Sequence, residues 1–451
     1  MNTIDSQKRY DTEVSNLNNS DAKKRLSMLF DNGTFTEIDR FLKNSDSQCE
    51  VVTAYGEVNG VLVYAYAQSI DVNKGAMGKA QAAKISHVYD LATKTGAPVV
   101  AVFDSFGAHV DEGLDALEAY GSLIKAAGNI SGVVPQIAVV AGTCVGSAAV
   151  LAALSDFVVV TDKAELYITE PTDKNYADVA AENGTATIKV KDDAEALSKV
   201  AELLSYLPSN NLSEPMYAEA LAAASGDAIS SVVDAESFFE LSADYGKCIK
   251  VGFARVGGAP VGIVSTNIEV NDGYFCEDGA KKAAKFVRVC DAFSIPVITL
   301  VNSKGIKTDA ECAGADVKAV ATLTSAYSEA TTAKVTVVTG SAIAGAYIAF
   351  VSSAGAPDFV YAWSNAVLAV LEPMTAVQLL YKERLANGED RKALEAEYEN
   401  EKCSPFCAAA KGLVTDVIMP EETNEKIISA LDVLSSKRVS TLSKKHTNIP
   451  L

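Results

Sequence analysis

A chain of 451 residues, 49% hydrophobic and 22% charged, carries enough apolar material for two or three packed domains, which excludes a disordered protein. Its 39 Lys and Arg against 58 Asp and Glu give a formal net charge of −19, which argues against nucleic acid or an anionic membrane as a partner over most of the surface. Eight cysteines, three histidines (His87, His109, His446) and a polar N-terminal segment fit reduced cytoplasmic thiols and leave no legible metal site or His-centred triad.

In chain order, residues 51–68 predict two strands around an Asn59-Gly60 hairpin turn. A helix over 77–96 follows, then a buried strand ending near Asp104 and a helix over 112–128. The uncharged stretch 137–154, IAVVAGTCVGSAAVLAAL, is long enough to raise a membrane span. Its β-branched start, the Gly142-Thr143 punctuation and its Ala-rich end instead predict a strand ending at Gly142, a turn and a buried helix. Two short strands close the series. The same series recurs as a strand pair over 249–265, a helix over 279–293, a strand ending near Asn302, a helix over 311–329, and VTVVTGSAIAGAYIAFV at 335–351, with a strand ending at Gly340. Amphipathic helices over 374–399 and 422–437, and a last strand within 412–418, complete the chain.

The recurrence holds its phase. Pro98–Ser105 aligns with Pro296–Ser303 at an offset of 198 (296 − 98), and the same offset sets Val139–Gly142 on Val337–Gly340. Asp156-Phe157 and Glu170-Pro171 meet Asp358-Phe359 and Glu372-Pro373 at 202 (358 − 156), so a four-residue insertion separates the blocks. The sequence predicts two copies of one α/β unit, 1–215 and 216–451, linked by the polar segment 205–215. Strands alternating with helices imply a mainly parallel sheet covered by helices.

The chemical signal lies in the two turns, Gly142–Ala148 and Gly340–Ala346. Small residues let a ligand approach the backbone, and the free N–H groups of a helix's first turn can hold an oxyanion. Close helix–sheet packing is the better explanation of one such turn alone, but two at equivalent positions favour function. Neither turn carries the Gly-Lys-Ser/Thr of a phosphate loop. Cys144 reads as a buried small residue rather than a nucleophile, and Asp111 and Glu112 as carboxylates serving the dipole of the helix they begin. Lys74, Lys79 and Lys84 are candidate partners for phosphates or plain surface charge.

Residues Ala22–Asp39 (AKKRLSMLFDNGTFTEID), Gly75-Ala-Met-Gly78, Thr95–Pro98, Asp104–Gly113, Gly132–Gln136, Phe286–Phe293 and Lys444–Leu451 together resemble the β-type carboxyltransferase subunits of biotin-dependent acyl-CoA carboxylases and decarboxylases. The resemblance implies tandem duplicated crotonase-like (ClpP/crotonase) units, the N-terminal one binding acyl-CoA and the C-terminal one biotin. It places one oxyanion hole on backbone N–H groups of Gly146 and Ser147 and another on Ala344, Gly345 and Ala346. Gly75, Gly78, Lys79, Phe106, Gly107, Tyr347 and Ile348 become the contacts to coenzyme A and biotin, with no metal required. It further implies carboxyl transfer between carboxybiotin and a short-chain acyl-CoA, propionyl/methylmalonyl or acetyl/malonyl, through an enolate. The implied partners are a biotin carboxyl carrier protein with a biotin carboxylase or a membrane decarboxylase subunit. A homo-oligomer, a dimer or ring of dimers, is expected, either cytoplasmic or peripheral to a membrane complex.

The sequence departs from the family pattern at Phe106 and His109, where the family has Gly and Arg, and at Ser147, where it has a second Gly. Ser303–Ile306 replaces the family's Pro-Gly-Phe loop, and Asp316-Val-Lys318 stands in place of an Arg-His pair. These departures keep two alternatives open, a weak or inactive scaffold paralogue and a crotonase-type hydratase or isomerase. Ile348 is Asp in many propionyl-CoA carboxylase β subunits, and an apolar residue there looks more like methylmalonyl-CoA decarboxylases and transcarboxylases.

Overall fold

The computed structural model describes residues 3–449 apart from 16, 18–19, 45–46, 50, 171–175, 225 and 307–312. Pro171, the start of the helix expected from 311, the altered segment between Ile306 and Ala313, and Pro450-Leu451 lie outside the described residues. The chain divides into two compact units, Met1–Glu214 and Pro215–Leu451.

The first unit runs α1 (Asp21–Leu29), β1 (Phe35–Ile38), β2 (Val51–Val58), β3 (Val61–Gln68), α2 (Lys79–Thr95), β4 (Val99–Ser105), α3 (Leu114–Asn129), β5 (Gln136–Val145), α4 (Ser147–Ala153), β6 (Phe157–Thr161), β7 (Glu165–Tyr167), β8 (Ile188–Val190) and α5 (Asp193–Leu204). Its sheet has the order β1-β2-β3-β4-β5-β6-β8, with β7 added to the far end of β5. The first three strands are antiparallel, and β2 and β3 are joined at Asn59 and Gly60 with φ of 53° and 72°, the positive-φ pair that a two-residue hairpin turn demands. From β3 onward the pairing is parallel. All seven residues of β4 are buried, as a strand covered on both faces requires.

The second unit repeats this plan with β9 (Phe239–Leu241), β10 (Ile249–Val256), β11 (Ala259–Thr266), α6 (Glu277–Ala292), β12 (Val297–Ser303), α7 (Ala313–Glu329), β13 (Lys334–Ile343), a π-helical turn (Tyr347–Val351), β14 (Phe359–Trp363) and β15 (Val367–Ala369). After them come α8 (Pro373–Leu380), α9 (Arg391–Tyr398), α10 (Pro405–Ala410), β16 (Asp416–Ile418) and α11 (Thr423–Leu434). The sheet order is β9-β10-β11-β12-β13-β14-β16, with β15 on β13. Val99 and Val297 open equivalent strands 198 apart (297 − 99), whereas Phe157 and Phe359 are 202 apart (359 − 157). The insertion therefore falls where α4 is replaced by the π-helical turn.

Two expectations are corrected, and three edge strands that the sequence did not predict are added. The central strands run through Gly142 and Gly340 to Val145 and Ile343. The edge strands β1, β8 and β9, three or four residues each, are too short to show a period. The segment 374–399 is broken into α8, a turn of helix at Lys382–Ala386 and α9, with Gly388 at φ 86° between the last two.

Candidate functional site

Each central strand carries the same device. Pairing between β4 and β5 shifts register between Phe103 and Ser105, and between β12 and β13 it shifts between Val301 and Ser303. The residue skipped at each irregularity, Asp104 or Asn302, turns its side chain onto the neighbouring strand. Asp104 Oδ1 accepts from the Thr143 N–H (3.3 Å) and Asn302 Oδ1 from the Ser341 N–H (2.9 Å). A Cβ on Gly142 would lie 2.4 Å from Asp104 Oδ1, and one on Gly340 2.3 Å from Asn302 Oδ1. These two glycines therefore make room for a protein oxygen, not for a ligand. In the first unit that oxygen is charged, and buried Arg25 answers it, with Nη1 2.8 Å from Asp104 and Nε 2.8 Å from Asp193.

Beyond the device the chain turns into a helix. Gly146 has φ 63° and Ala344 φ 48°, and their N–H groups donate to Tyr167 O and Ala369 O at 3.0 Å each. This corrects the expected donor roles of Gly146 and Ala344, whose amides bond to the residues of β7 and β15. The amides that remain are those of Ser147 and Ala148 in one turn and Gly345 and Ala346 in the other, positions that precede an intrahelical ladder. Ser147 and Gly345 are half-buried while Ala148 and Ala346 are fully buried. Ala148 was not among the expected residues; the 198-residue offset from Ala346 is the signal that could have found it.

A loop flanks each turn. Ser105 Oγ accepts from the Gly107 N–H (3.1 Å), and Met77 N–H donates to Gly107 O (2.8 Å). In the second unit Ser303 Oγ accepts from the Gly305 N–H (3.3 Å), and Phe275 N–H donates to Gly305 O (3.0 Å). Phe106, 52% exposed, lies under the Lys74 ammonium at 5.6 Å. The roles swap in the second unit, where the Lys304 ammonium stands 6.0 Å from the Tyr274 ring. Tyr274 O–H donates to Glu372 Oε1 at 2.5 Å.

The loop expected to meet coenzyme A is tightly packed. A Cβ on Gly75 would lie 2.3 Å from Asp104 O, and one on Gly78 2.1 Å from Glu112 Oε1. Glu112 Oε2 accepts from the Lys79 N–H (2.7 Å), so this carboxylate serves the N-terminus of α2 rather than the helix it was expected to begin. Lys84 is buried, its Nζ donating to Val51 O (2.9 Å), which removes it as a phosphate partner. Lys74 and Lys79 are exposed, Lys79 pairing with Asp115 at 2.7 Å. Cys144 is buried, and burial pushes its thiol up, away from the reactive thiolate.

Beside the second turn lies a cavity of about 610 Å³. Ala344, Tyr347 and Ile348 line one side, and Leu368, Leu380 and Tyr398 are among those lining the rest. The expected residues Tyr347 and Ile348 thus share one pocket. Its wall from α8 and α9 lies in the segment expected as one amphipathic helix, and nothing in that spacing marked the break into separate short helices that line the pocket.

Two units of one topology, each sending its central strand into a helix-opening turn, make this a tandem crotonase-like protein. The chain belongs to the carboxyl transferase domain family, whose pattern matches residues 18–449. It is 36% identical over 480 residues to the methylmalonyl-CoA decarboxylase subunit alpha of Propionigenium modestum, covering 95% of this chain and 93% of that protein. It is also 36% identical over 478 residues to the mitochondrial propionyl-CoA carboxylase beta chain of Homo sapiens, covering 95% and 88%. The crystal structure of transcarboxylase 12S with methylmalonyl-coenzyme A and methylmalonic acid bound, described as a hexamer assembly, superposes with a TM-score of 0.90 at 32% identity, over 98% of this chain and 95% of that one.

Proposed function

We propose that this chain is the carboxyltransferase subunit of a biotin-dependent system and moves a carboxyl group between biotin on a carrier protein and a short acyl-CoA, with methylmalonyl-CoA and propionyl-CoA as the preferred pair. The observation that carries the reading is the duplicated turn, with helix-opening amides at Ser147 and Ala148 and again at Gly345 and Ala346. In the first unit these amides face the thioester oxygen as charge builds on it. Preorganised backbone dipoles of this kind stabilise an oxyanion without a titrating side chain. Lys74 and Lys79, exposed near that turn, are the cations for the phosphates of coenzyme A, and Phe106 and Gly107 border the same approach.

The second unit takes biotin. The apolar wall at Ile348, Leu368 and Leu380 suits a carbon-rich ring and excludes water, and the amides of Gly345 and Ala346 hold the ureido oxygen. Biotin, when bound, supplies the carrier for the carboxyl group. The apolar Ile348 and the names of the relatives support a methylmalonyl-CoA decarboxylase-like system over an acetyl-CoA one. A homo-oligomer, a biotin carboxyl carrier protein and a membrane decarboxylase subunit or biotin carboxylase are its partners. Among the described residues no helix is long and apolar enough to cross a membrane, and we place the chain in the cytoplasm or at the edge of a membrane complex.

The test is decarboxylation of methylmalonyl-CoA and malonyl-CoA by the full chain with free biotin as acceptor. Turnover of methylmalonyl-CoA in preference to malonyl-CoA is expected. A folded, oligomeric protein that acts on neither would overturn the reading in favour of a scaffold.

A further inference from the structure

Away from both turns, two thiols of the second unit meet. Cys248 Sγ and Cys276 Sγ stand 2.8 Å apart, and the Cys276 N–H donates to Cys248 Sγ at 3.2 Å. Closing that gap to the roughly 2.05 Å of a disulfide needs a movement of under about 1 Å. The backbone is shaped around the pair: a Cβ on Gly279 would lie 2.4 Å from Cys248 Sγ, and one on Gly246, at φ 51°, would lie 2.7 Å from Gly279 N. Glycine at 279 leaves the space the Cys248 sulfur fills. Cys276 occupies the N-cap of the 16-residue helix α6 and is partly exposed, whereas Cys248 is buried.

We infer that Cys248 and Cys276 form a thiol–disulfide modification site, with Cys276 as the attacking sulfur and Cys248 as the resolving one, and a low-molecular-weight disulfide as the oxidant. The thiol donated by Cys248 and the first-turn amides of Gly279 and Asp278 hold Cys276 below the usual thiol range, while the shared proton and burial push Cys248 up. The contrast with the other thiols is clear: burial raises Cys144 and Cys290, and raises Cys403 to about 11. The thiolate is the nucleophile in exchange.

The chemistry balances with one equivalent of oxidant. The Cys276 thiolate attacks one sulfur of the disulfide RSSR, forming a Cys276–S–S–R bond and releasing RS⁻. Cys248 then gives up its proton to RS⁻ or water and attacks the Cys276 sulfur, forming the Cys248–Cys276 bond and expelling the second RS⁻. Two protein thiols lose two electrons in all, and RSSR gains them. The bond ties the start of β10 to the head of α6, one residue beyond Phe275, whose N–H holds the Gly305 loop beside Ala344.

The experiment exposes the folded full-length protein to glutathione disulfide and maps non-reduced peptides by mass spectrometry over time. A transient glutathione adduct on Cys276, replaced by a Cys248–Cys276 cross-linked peptide that dithiothreitol reverses, is expected. In Cys248→Ser the adduct on Cys276 persists, and in Cys276→Ser no adduct forms at Cys248. A first adduct on another cysteine, or an adduct on Cys276 that never resolves in the unsubstituted protein, would overturn the assignment. Should Cys248→Ser fail to fold, the order of species in the unsubstituted protein decides alone.

Discussion

The two central strands solve one geometric problem with different charges. In the first unit a carboxylate, Asp104, crosses from the register shift to hold the Thr143 amide, and it is buried with Arg25 and Asp193 around it. In the second a neutral side-chain amide, that of Asn302, holds the Ser341 N–H at a shorter 2.9 Å, and the Asn302 backbone N–H donates to Thr266 Oγ1 (2.7 Å). The difference teaches that the turn needs an oxygen at this point and not a charge. A buried carboxylate obliges the fold to supply a cation, and α1 supplies it; among the described residues the second unit has neither at this point.

Breaking the charged version is expected to have the largest effect. Arg25→Ala strands Asp104 in the interior and is predicted to cost about 3–5 kcal/mol of stability by chemical denaturation. Adding Asp104→Asn to it imports the solution of the second unit and is expected to restore most of the loss. A double variant no more stable than Arg25→Ala would show that the charge itself is needed.

The turns beyond the strands are tested next, through catalysis. Ser147 opens α4, where proline is tolerated and deletes the amide hydrogen together with the hydroxyl. Ser147→Pro is predicted to lower carboxyl transfer by about 10²–10³, the usual cost of one oxyanion donor, with the fold kept by circular dichroism. Ser147→Ala, which keeps the amide, is expected to keep the rate; equal losses in the two variants would assign the effect to the hydroxyl.

Smaller effects come from the glycines behind the turns. Gly142→Ala and Gly340→Ala each press a methyl group on an oxygen 2.4 or 2.3 Å away, and overpacking of this sort costs about 1–3 kcal/mol. The charged side is expected to suffer more, because Asp104 is pinned by Arg25 while among the described residues Asn302 has no cation partner to lose. Smallest is Lys79→Ala at the surface, predicted to leave the denaturation midpoint unchanged while raising the KM for acyl-CoA and sparing that for biotin. An unchanged acyl-CoA KM would remove Lys79 from the coenzyme A site.

The duplication, the parallel sheets, the hairpin at Asn59-Gly60 and the two turns were all legible in the sequence alone, because hydrophobic runs, turn residues and a repeated phase are local properties that a linear reading carries. Tyr347 and Ile348 were named by the family resemblance and not by spacing, and the fold sets them in one cavity beside the second turn. What only the tertiary structure decided were the pairings that cross the sheet. The amides of Gly146 and Ala344 are occupied because short strands 21 or more residues onward return to them. Gly142 and Gly340 are glycine because a side chain from the neighbouring strand fills the space, Gly78 because Glu112 does, and Lys84 is withdrawn into the core by Val51. Each of these depends on which atoms meet across tens of residues of chain, and hydrogen bonds and excluded volume act on atoms in space, whereas periodicity and composition record only their order along the backbone.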